Sequence, residues 1–260
     1  MRRRMTQTKR RALVTGGSRG IGLSIARVLA RDGLDVIVSY AHDAAGAEAA
    51  VAQAHREGLS FAAVRCDAAR PEDWDALFVR GGALGLAEQG VQVLVHAAGF
   101  AKDGLLMTQT PADFDAVQGV HLRGAYLASR ACLRGMIGER FGRIVYLSSP
   151  TATLGRRGQC SYGAAKAGLM GLTRSLVMEV SRFQITVNCV SAGLVDTALT
   201  AELSPEVYQS LLAGVPMARP GQAEEVAALV RFLVSAAGGY VTGQHIAVDG
   251  GLDTLAGDAF

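Results

Sequence analysis

The chain is poor in aromatic residues, proline and charge. Phe, Trp and Tyr make up 6% of its 260 residues, there are 6 prolines, and charged residues reach only 19%. Mean hydropathy is +0.23, yet no uninterrupted apolar run approaches the ~18 residues a membrane-spanning helix needs, so no membrane span is expected. The shortage of proline excludes a collagen-like repeat despite 32 glycines, and a hydrophobic content of 50% excludes disorder. Neither charge sign dominates, with 26 basic against 23 acidic residues. The four cysteines (Cys66, Cys132, Cys160, Cys189) are scattered, without C-x-x-C or metal-ligand spacing. They read as buried thiols in a reducing cytoplasm, and no metal site is expected. What remains is an aliphatic chain punctuated by glycine, the composition of a parallel sheet covered by helices.

Five of the 26 basic residues fall within the first ten positions. Residues 1–8 read as a basic, flexible tail and 9–260 as one cofactor-binding domain, with no linker, repeat or composition shift to split it. No apolar stretch of the kind a secretory signal requires follows the basic run. The domain offers no recognition-helix pattern, so nucleic acid is not an expected partner.

Short β-branched runs alternate with helical patterns. Strands are expected at 11–15, 35–40, 61–65, 91–95, 143–147, 185–190 and 245–248. Helices are expected at 21–32, 44–57, from Pro71, at 111–137, 161–181, 205–214 and 223–234. Seven strands interleaved with helices give a single-domain α/β fold of Rossmann type, a doubly wound seven-stranded parallel sheet with helices on both faces.

The first strand runs directly into Thr15-Gly-Gly-Ser-Arg-Gly-Ile-Gly22 and then a helix. Gly16, Gly20 and Gly22 permit close backbone approach, and the exposed N–H groups at the helix start attract a pyrophosphate. Between strand and helix this is a dinucleotide signature. NAD sites place a carboxylate at the end of the second strand, but here that strand ends Val38-Ser39-Tyr40-Ala41-His42, with no acid before Asp43. Arg19, with Ser18 and Ser39, suits a 2′-phosphate, so NADP(H) is the expected cofactor.

Ser161-Tyr162-Gly-Ala-Ala-Lys166 places Tyr162 and Lys166 one helical turn apart on one face. An ammonium beside a phenol lowers its pKa and fits the tyrosine for acid–base work near neutrality. Ser149 lies thirteen residues before Tyr162, at the carboxyl end of strand five, where open α/β sheets build their sites.

Together these residues resemble the short-chain dehydrogenases/reductases over nearly the whole chain, and within them the β-ketoacyl-carrier-protein reductases. The resemblance rests on Thr15–Gly22, Ala97-Ala98-Gly99, Lys102–Met107, Ser148-Ser149, Tyr162–Lys166, Ile185–Asn188, Thr197, Tyr240–Gly243 and Val248–Gly251. It implies that Ser149 orients a substrate carbonyl, Tyr162 supplies the proton, and Lys166 binds the nicotinamide ribose. It implies further cofactor contacts from Ile21, Tyr40, Asp67, Ala68, His96, Ala97, Gly99, Val195 and Thr197. The implied reaction takes a 3-oxoacyl thioester to the 3-hydroxyacyl thioester, in the R configuration, in fatty-acid or polyketide/polyene biosynthesis.

Three positions depart from the family pattern. His96 stands for an asparagine after strand four, Ala192 for a proline whose loss is expected to loosen the following turn, and His121 for the asparagine that completes a catalytic tetrad. His121 is expected to substitute in the proton relay, since histidine titrates near neutrality. An acidic acyl-carrier protein is the implied partner, with Arg140 and Arg182 as contacts. Arg156 and Arg157 follow Ser149 and are suited to a phosphopantetheine phosphate. Leu105, Leu154 and Leu194 are candidates for an acyl channel. A homotetramer, or a hetero-oligomer with a related reductase, and a cytoplasmic location are further implications. Two alternatives remain open at this point: a ketoreductase acting on acyl-CoA or a small ketone, and a weakly active cofactor-binding partner subunit.

Overall fold

The computed structural model describes residues 9–255; the basic segment 1–8 and residues 256–260 lie outside the described residues. The first half comprises β1 (Arg11–Thr15), α1 (Gly20–Arg31), β2 (Asp35–Tyr40), α2 (Ala44–Arg56) and β3 (Phe61–Arg65). Helices α3 (Pro71–Leu77) and α4 (Leu86–Gln89) then carry the chain back to β4 (Val93–His96), on the far side of β1. Next come α5 (Pro111–Gln118), a π-helical turn over Gly119–Arg123, α6 (Gly124–Glu139) and β5 (Gly142–Ser148). Helices α7 (Thr151–Leu154) and α8 (Cys160–Val180) lead to β6 (Ile185–Ala192). The remainder holds β7 (Val195–Asp196), α9 (Ala198–Ala201), α10 (Pro205–Ala213), β8 (Gly221–Gln222), α11 (Ala223–Val234) and β9 (His245–Val248).

The seven-stranded sheet has the order β3-β2-β1-β4-β5-β6-β9, and all its pairings are parallel. Both faces are covered because successive side chains point to opposite sides. Ala12, Val14, Val93, Val95 and Val145 pack with α1, α2 and α11, while Leu13, Leu94, Ile144 and Tyr146 pack with α3, α6 and α8. Local chemistry sets the helix ends. Gly33 adopts φ +87° just past α1, and Thr110 caps α5 through the Asp113 N–H, with Pro111 in the first turn.

Most expected elements lie within two residues of their observed bounds. The single helix expected over 111–137 is three pieces, because the π-helical turn interrupts it. Helices α4, α7 and α9 are too short to leave a periodic pattern, and so are β7 and β8, which form a separate two-stranded sheet. Ala192 stands at the end of β6. Unlike proline it keeps its N–H, and it extends β6 by pairing with Val248, after which the Gly193 N–H donates to the Val248 carbonyl at 3.0 Å.

The largest fully buried side chain, Tyr146, meets Ser129 Oγ at 2.6 Å, and Ser129 in turn donates to the Ala125 carbonyl at 2.8 Å. Tyr146→Phe removes one buried hydrogen bond and leaves the serine hydroxyl satisfied. It is expected to cost about 1 kcal/mol, read as a lower urea midpoint at unchanged slope. A loss above about 3 kcal/mol would mean that the hydroxyl supports more than this bond.

Candidate active site

The strand order reverses between β1 and β4, and the loops leaving their carboxyl ends meet there. Gly16 adopts φ +64°, and a Cβ at that position would lie 2.7 Å from Ala98 Cα, so only glycine allows the two loops this close. Helix α1 opens after Arg19, which is extended and exposed, and no side-chain oxygen caps its first N–H groups. Uncapped donors beside a glycine turn, with Gly20, Ile21 and Gly22 in the first turn, form a cradle for a pyrophosphate. The Thr197 methyl lies 3.8 Å from where a Cβ of Gly20 would stand, so the loop after β7 faces the glycine loop. These residues fit a dinucleotide.

The remaining expected cofactor residues sit around this cradle with differing freedom. The Ser39 carbonyl accepts the Gly16 N–H at 2.9 Å, and Tyr40 ends β2 half-buried. Ser18 Oγ is 3.4 Å from Asp43, whose other oxygen caps α2 through the Gly46 N–H at 3.0 Å. Asp67 accepts the Ala69 N–H, and Ala68 is buried with its carbonyl taking the Trp74 indole N–H at 3.0 Å. Ala97 and Gly99 line the turn after β4, while Val195 is buried.

The His96 ring is engaged by the protein itself. Thr15 Oγ1 accepts the N–H groups of Ala97 and Ala98, each at 3.1 Å, so its own proton goes to His96 Nδ1 at 2.9 Å. The imidazole Nε2–H donates to the Val120 carbonyl at 3.1 Å. Both nitrogens are therefore taken by the protein, and the ring keeps no polar atom for a cofactor. Burial, reinforced by the Lys166 charge, pushes its pKa down to about 3, and it stays neutral. The residue ties β1, β4 and the π-helical turn together.

Ser149 follows β5, and its Oγ accepts the Thr151 N–H at 3.3 Å. Lys166, buried on α8, reaches back to donate to the Leu147 carbonyl at 2.6 Å, with its ammonium 5.4 Å from the centre of the Tyr162 ring. Burial pulls the lysine pKa down to about 8. The expected depression of Tyr162 does not hold in this structure. Burial raises its pKa, while the hydrogen bond to Ser149 pulls it down and Asp103 pushes it further up.

His121 sits on the π-helical turn, fully buried, its ring edge-on to Tyr162 with centroids 5.1 Å apart. Its Nε2 lies 2.7 Å from the Phe100 carbonyl and 3.1 Å from the Phe100 N–H, so the shorter contact makes Nε2 the donor. Nδ1 has no partner. A Cβ on Gly99 would overlap this ring, so glycine there makes room for the imidazole. Burial, aided by the Lys166 charge, drives the His121 pKa down to about 2, away from the expected titration near neutrality.

The sequence reading missed Gln159. Its amide donates to Asp103 at 2.9 Å and its carbonyl accepts from Thr151 Oγ1 at 3.0 Å, with Ser149 Oγ 3.4 Å from that hydroxyl. Only its position three residues before Tyr162 hinted at this. Arg140 and Arg182 do meet, Arg140 donating to the Arg182 carbonyl at 3.1 Å. They stand before the amino ends of β5 and β6, however, so the length of β5 separates them from Ser149. At about 3.3 Å per residue that is roughly 20 Å, and they do not flank the mouth of the site in this chain. Leu105 and Leu154 are partly exposed near the mouth, where Gly104 bonds to Gly158 at 2.8 Å; Leu194 is half-buried beside β7.

The chain is similar to known proteins over most of its length. A family model described as enoyl-(acyl carrier protein) reductase matches residues 16–253. A 3-oxoacyl-[acyl-carrier-protein] reductase of Synechocystis sp. is 38% identical over 242 residues, covering 93% of this chain and 96% of the relative. One from Pseudomonas aeruginosa is 39% identical over 243 residues, covering 93% and 96%. An acetoacetyl-CoA reductase of Allochromatium vinosum is 37% identical over 244 residues, covering 93% and 97%.

Burial of Lys166 lowers its pKa from the ordinary 10.5 to about 8, so the folded protein holds this proton less tightly than the unfolded chain. The resulting penalty is full below about pH 8 and fades as pH rises toward 10.5. Lys166→Met is expected to stabilise the ligand-free protein by about 2 kcal/mol at pH 7, less toward pH 10. Denaturation midpoints across that range check it, and a gain independent of pH would exclude charge burial as its cause.

Proposed function

Because the chain belongs to the short-chain dehydrogenase/reductase family, whose members are nicotinamide-dependent oxidoreductases, we propose that it reduces the ketone of a 3-oxoacyl thioester on acyl-carrier protein to the alcohol, using NADPH, in fatty-acid biosynthesis or a related polyketide pathway. The observation that carries this reading is the meeting of Ser149, Tyr162 and Lys166 at the carboxyl end of β5, beside a cradle suited to a dinucleotide. The names of the relatives, all at 37–39% identity, supply the substrate class.

The bound nicotinamide supplies the hydride. The residues of this chain have the complementary task of holding the carbonyl oxygen and managing its charge. Ser149 Oγ and the Tyr162 hydroxyl donate to that oxygen, and their bonds strengthen as it becomes an alkoxide. The raised pKa of Tyr162 keeps the proton on the phenol until the alkoxide forms, which suits a general acid. Lys166 then stabilises the phenolate through its charge. His121 acts here as a neutral polar group, its Nε2 donating to the Phe100 carbonyl and its ring against Tyr162. Two hydroxyl donors fit a ketone oxygen rather than a carbon–carbon double bond, which favours ketone reduction over enoyl reduction.

NADPH is favoured over NADH because Asp43 is engaged by Ser18 and the Gly46 N–H, while Arg19 is in no ion pair among the described residues. Exposed Phe114, Tyr126 and Met178 on α5, α6 and α8 support a homotetramer, or pairing with a related reductase, as part of the same proposal. Cys66, Cys132 and Cys189 are buried as expected and Cys160 at the start of α8 is exposed instead; all four are free thiols, which suits the cytoplasm, and no described helix is long and apolar enough to cross a membrane. Acyl-CoA is the second substrate reading, favoured by the Allochromatium relative.

Purified protein is expected to oxidise NADPH with acetoacetyl thioesters but not with crotonyl thioesters. Tyr162→Phe should lower kcat by about 1,000-fold or more while nucleotide affinity stays within about twofold. Turnover of the crotonyl series alone would overturn the ketone assignment. Arg19→Ala is expected to weaken NADPH binding by about tenfold and NADH binding hardly at all, measured by fluorescence titration. Equal losses would remove Arg19 from 2′-phosphate recognition.

A further inference from the structure

The turn joining α7 to α8 carries two arginines with no partner of their own. Arg156 and Arg157 are exposed, and among the described residues neither enters an ion pair or a side-chain hydrogen bond. Gly155 at φ +70° and Gly158 at φ +83° bracket them, left-handed positions that turn the chain sharply and hold the pair outward. The turn is nonetheless well anchored. Gly158 accepts the Gly104 N–H at 2.8 Å, and Gln159 holds both Asp103 and Thr151, the latter adjoining Ser149. Asp103 accepts from Gln159 and Asp253 from the Thr153 hydroxyl, and neither carboxylate is in an ion pair with these arginines.

This places two guanidinium groups, in no ion pair among the described residues, one short helix along the chain from Ser149. They lie on the β5–α8 side of the cleft, away from the glycine loop that suits the cofactor phosphates. Resting on the thioester reading above, we propose that Arg156 and Arg157 form the subsite for the phosphate of a phosphopantetheine arm. The chemistry matches: a thioester on this arm carries its phosphate at the far end of a long flexible chain, so a cationic pair outside the reacting centre meets it. Guanidinium groups hold phosphate through paired N–H donors. Arg140 and Arg182, at the other end of β5, do not share this position.

The test compares thioesters that bear the phosphate of the arm with thioesters that lack it. Acetoacetyl-carrier protein and acetoacetyl-CoA bear it; acetoacetyl-pantetheine and acetoacetyl-N-acetylcysteamine do not. In the double variant Arg156→Ala/Arg157→Ala, KM for the two phosphate-bearing substrates is expected to rise about tenfold. The phosphate-free substrates should keep kcat and KM within about twofold. Equal effects on all four, or none, would overturn the proposal. A loss confined to the carrier protein would also overturn it, because the arginines would then be meeting the acidic carrier surface and not the phosphate. Calorimetric titration with 4′-phosphopantetheine against pantetheine reads the same contrast without turnover. An inactive wild type that still binds 4′-phosphopantetheine more tightly than pantetheine in the titration would sink the reductase reading and spare the phosphate subsite. A wild type that reduces all four thioesters alike, with no discrimination, would do the reverse.

Discussion

The hydrogen bond from Lys166 to the Leu147 carbonyl, 2.6 Å long and fully buried, fixes the relation between the two elements that carry the chemistry. It pins the first turns of α8 to the end of β5, and Ser148 Oγ adds a second tie to the Lys166 carbonyl at 3.2 Å. Ser149 and Tyr162 are carried by those same two elements, so their separation follows from this contact. The arrangement costs the desolvation of an ammonium. That cost appears as the lysine pKa drawn down from 10.5 to about 8.

The same dry surroundings explain the two histidines at positions where the resemblance leads one to expect asparagine. An imidazole in water exchanges protons near neutrality, but beside a buried ammonium both of these are held neutral. They behave as shaped polar groups. His96 uses both nitrogens to join two strands to the π-helical turn, whose altered ladder leaves the Val120 carbonyl within reach. His121 spends one nitrogen on the Phe100 backbone and lays its ring against Tyr162. The helix interruption therefore serves both residues, presenting a carbonyl to one and orienting the other.

The sheet was legible because its strands are buried on both faces and read as aliphatic runs, and the helices α1 and α11 because their apolar stripes are continuous. The glycine loop and the Tyr162–Lys166 spacing were legible because a single local geometry imposes them. What escaped depends on neighbours distant in sequence. The break at Gly119–Arg123 has no proline to mark it, and Gln159 bridges Asp103 from 56 positions away. The pKa directions of Tyr162 and His121 escaped for a related reason. Residue type sets the starting value, but burial sets the shift, and burial is a property of the assembled core.

Position along a strand decided the fate of the arginines in the same way. Arg140 and Arg156 flank Ser149 at distances in sequence that differ by only two residues, which makes them look equivalent. A parallel strand between Arg140 and the serine carries the first to the far end of the sheet, whereas the short helix α7 and a glycine-bracketed turn keep the second at the mouth. An extended residue advances the chain about 3.3 Å and a helical one about 1.5 Å, so secondary structure and not sequence distance sets which charge a substrate meets. In a chain whose net charge is only +3, the electrostatic field at the cleft is then governed by which few cations the topology leaves there without a carboxylate partner.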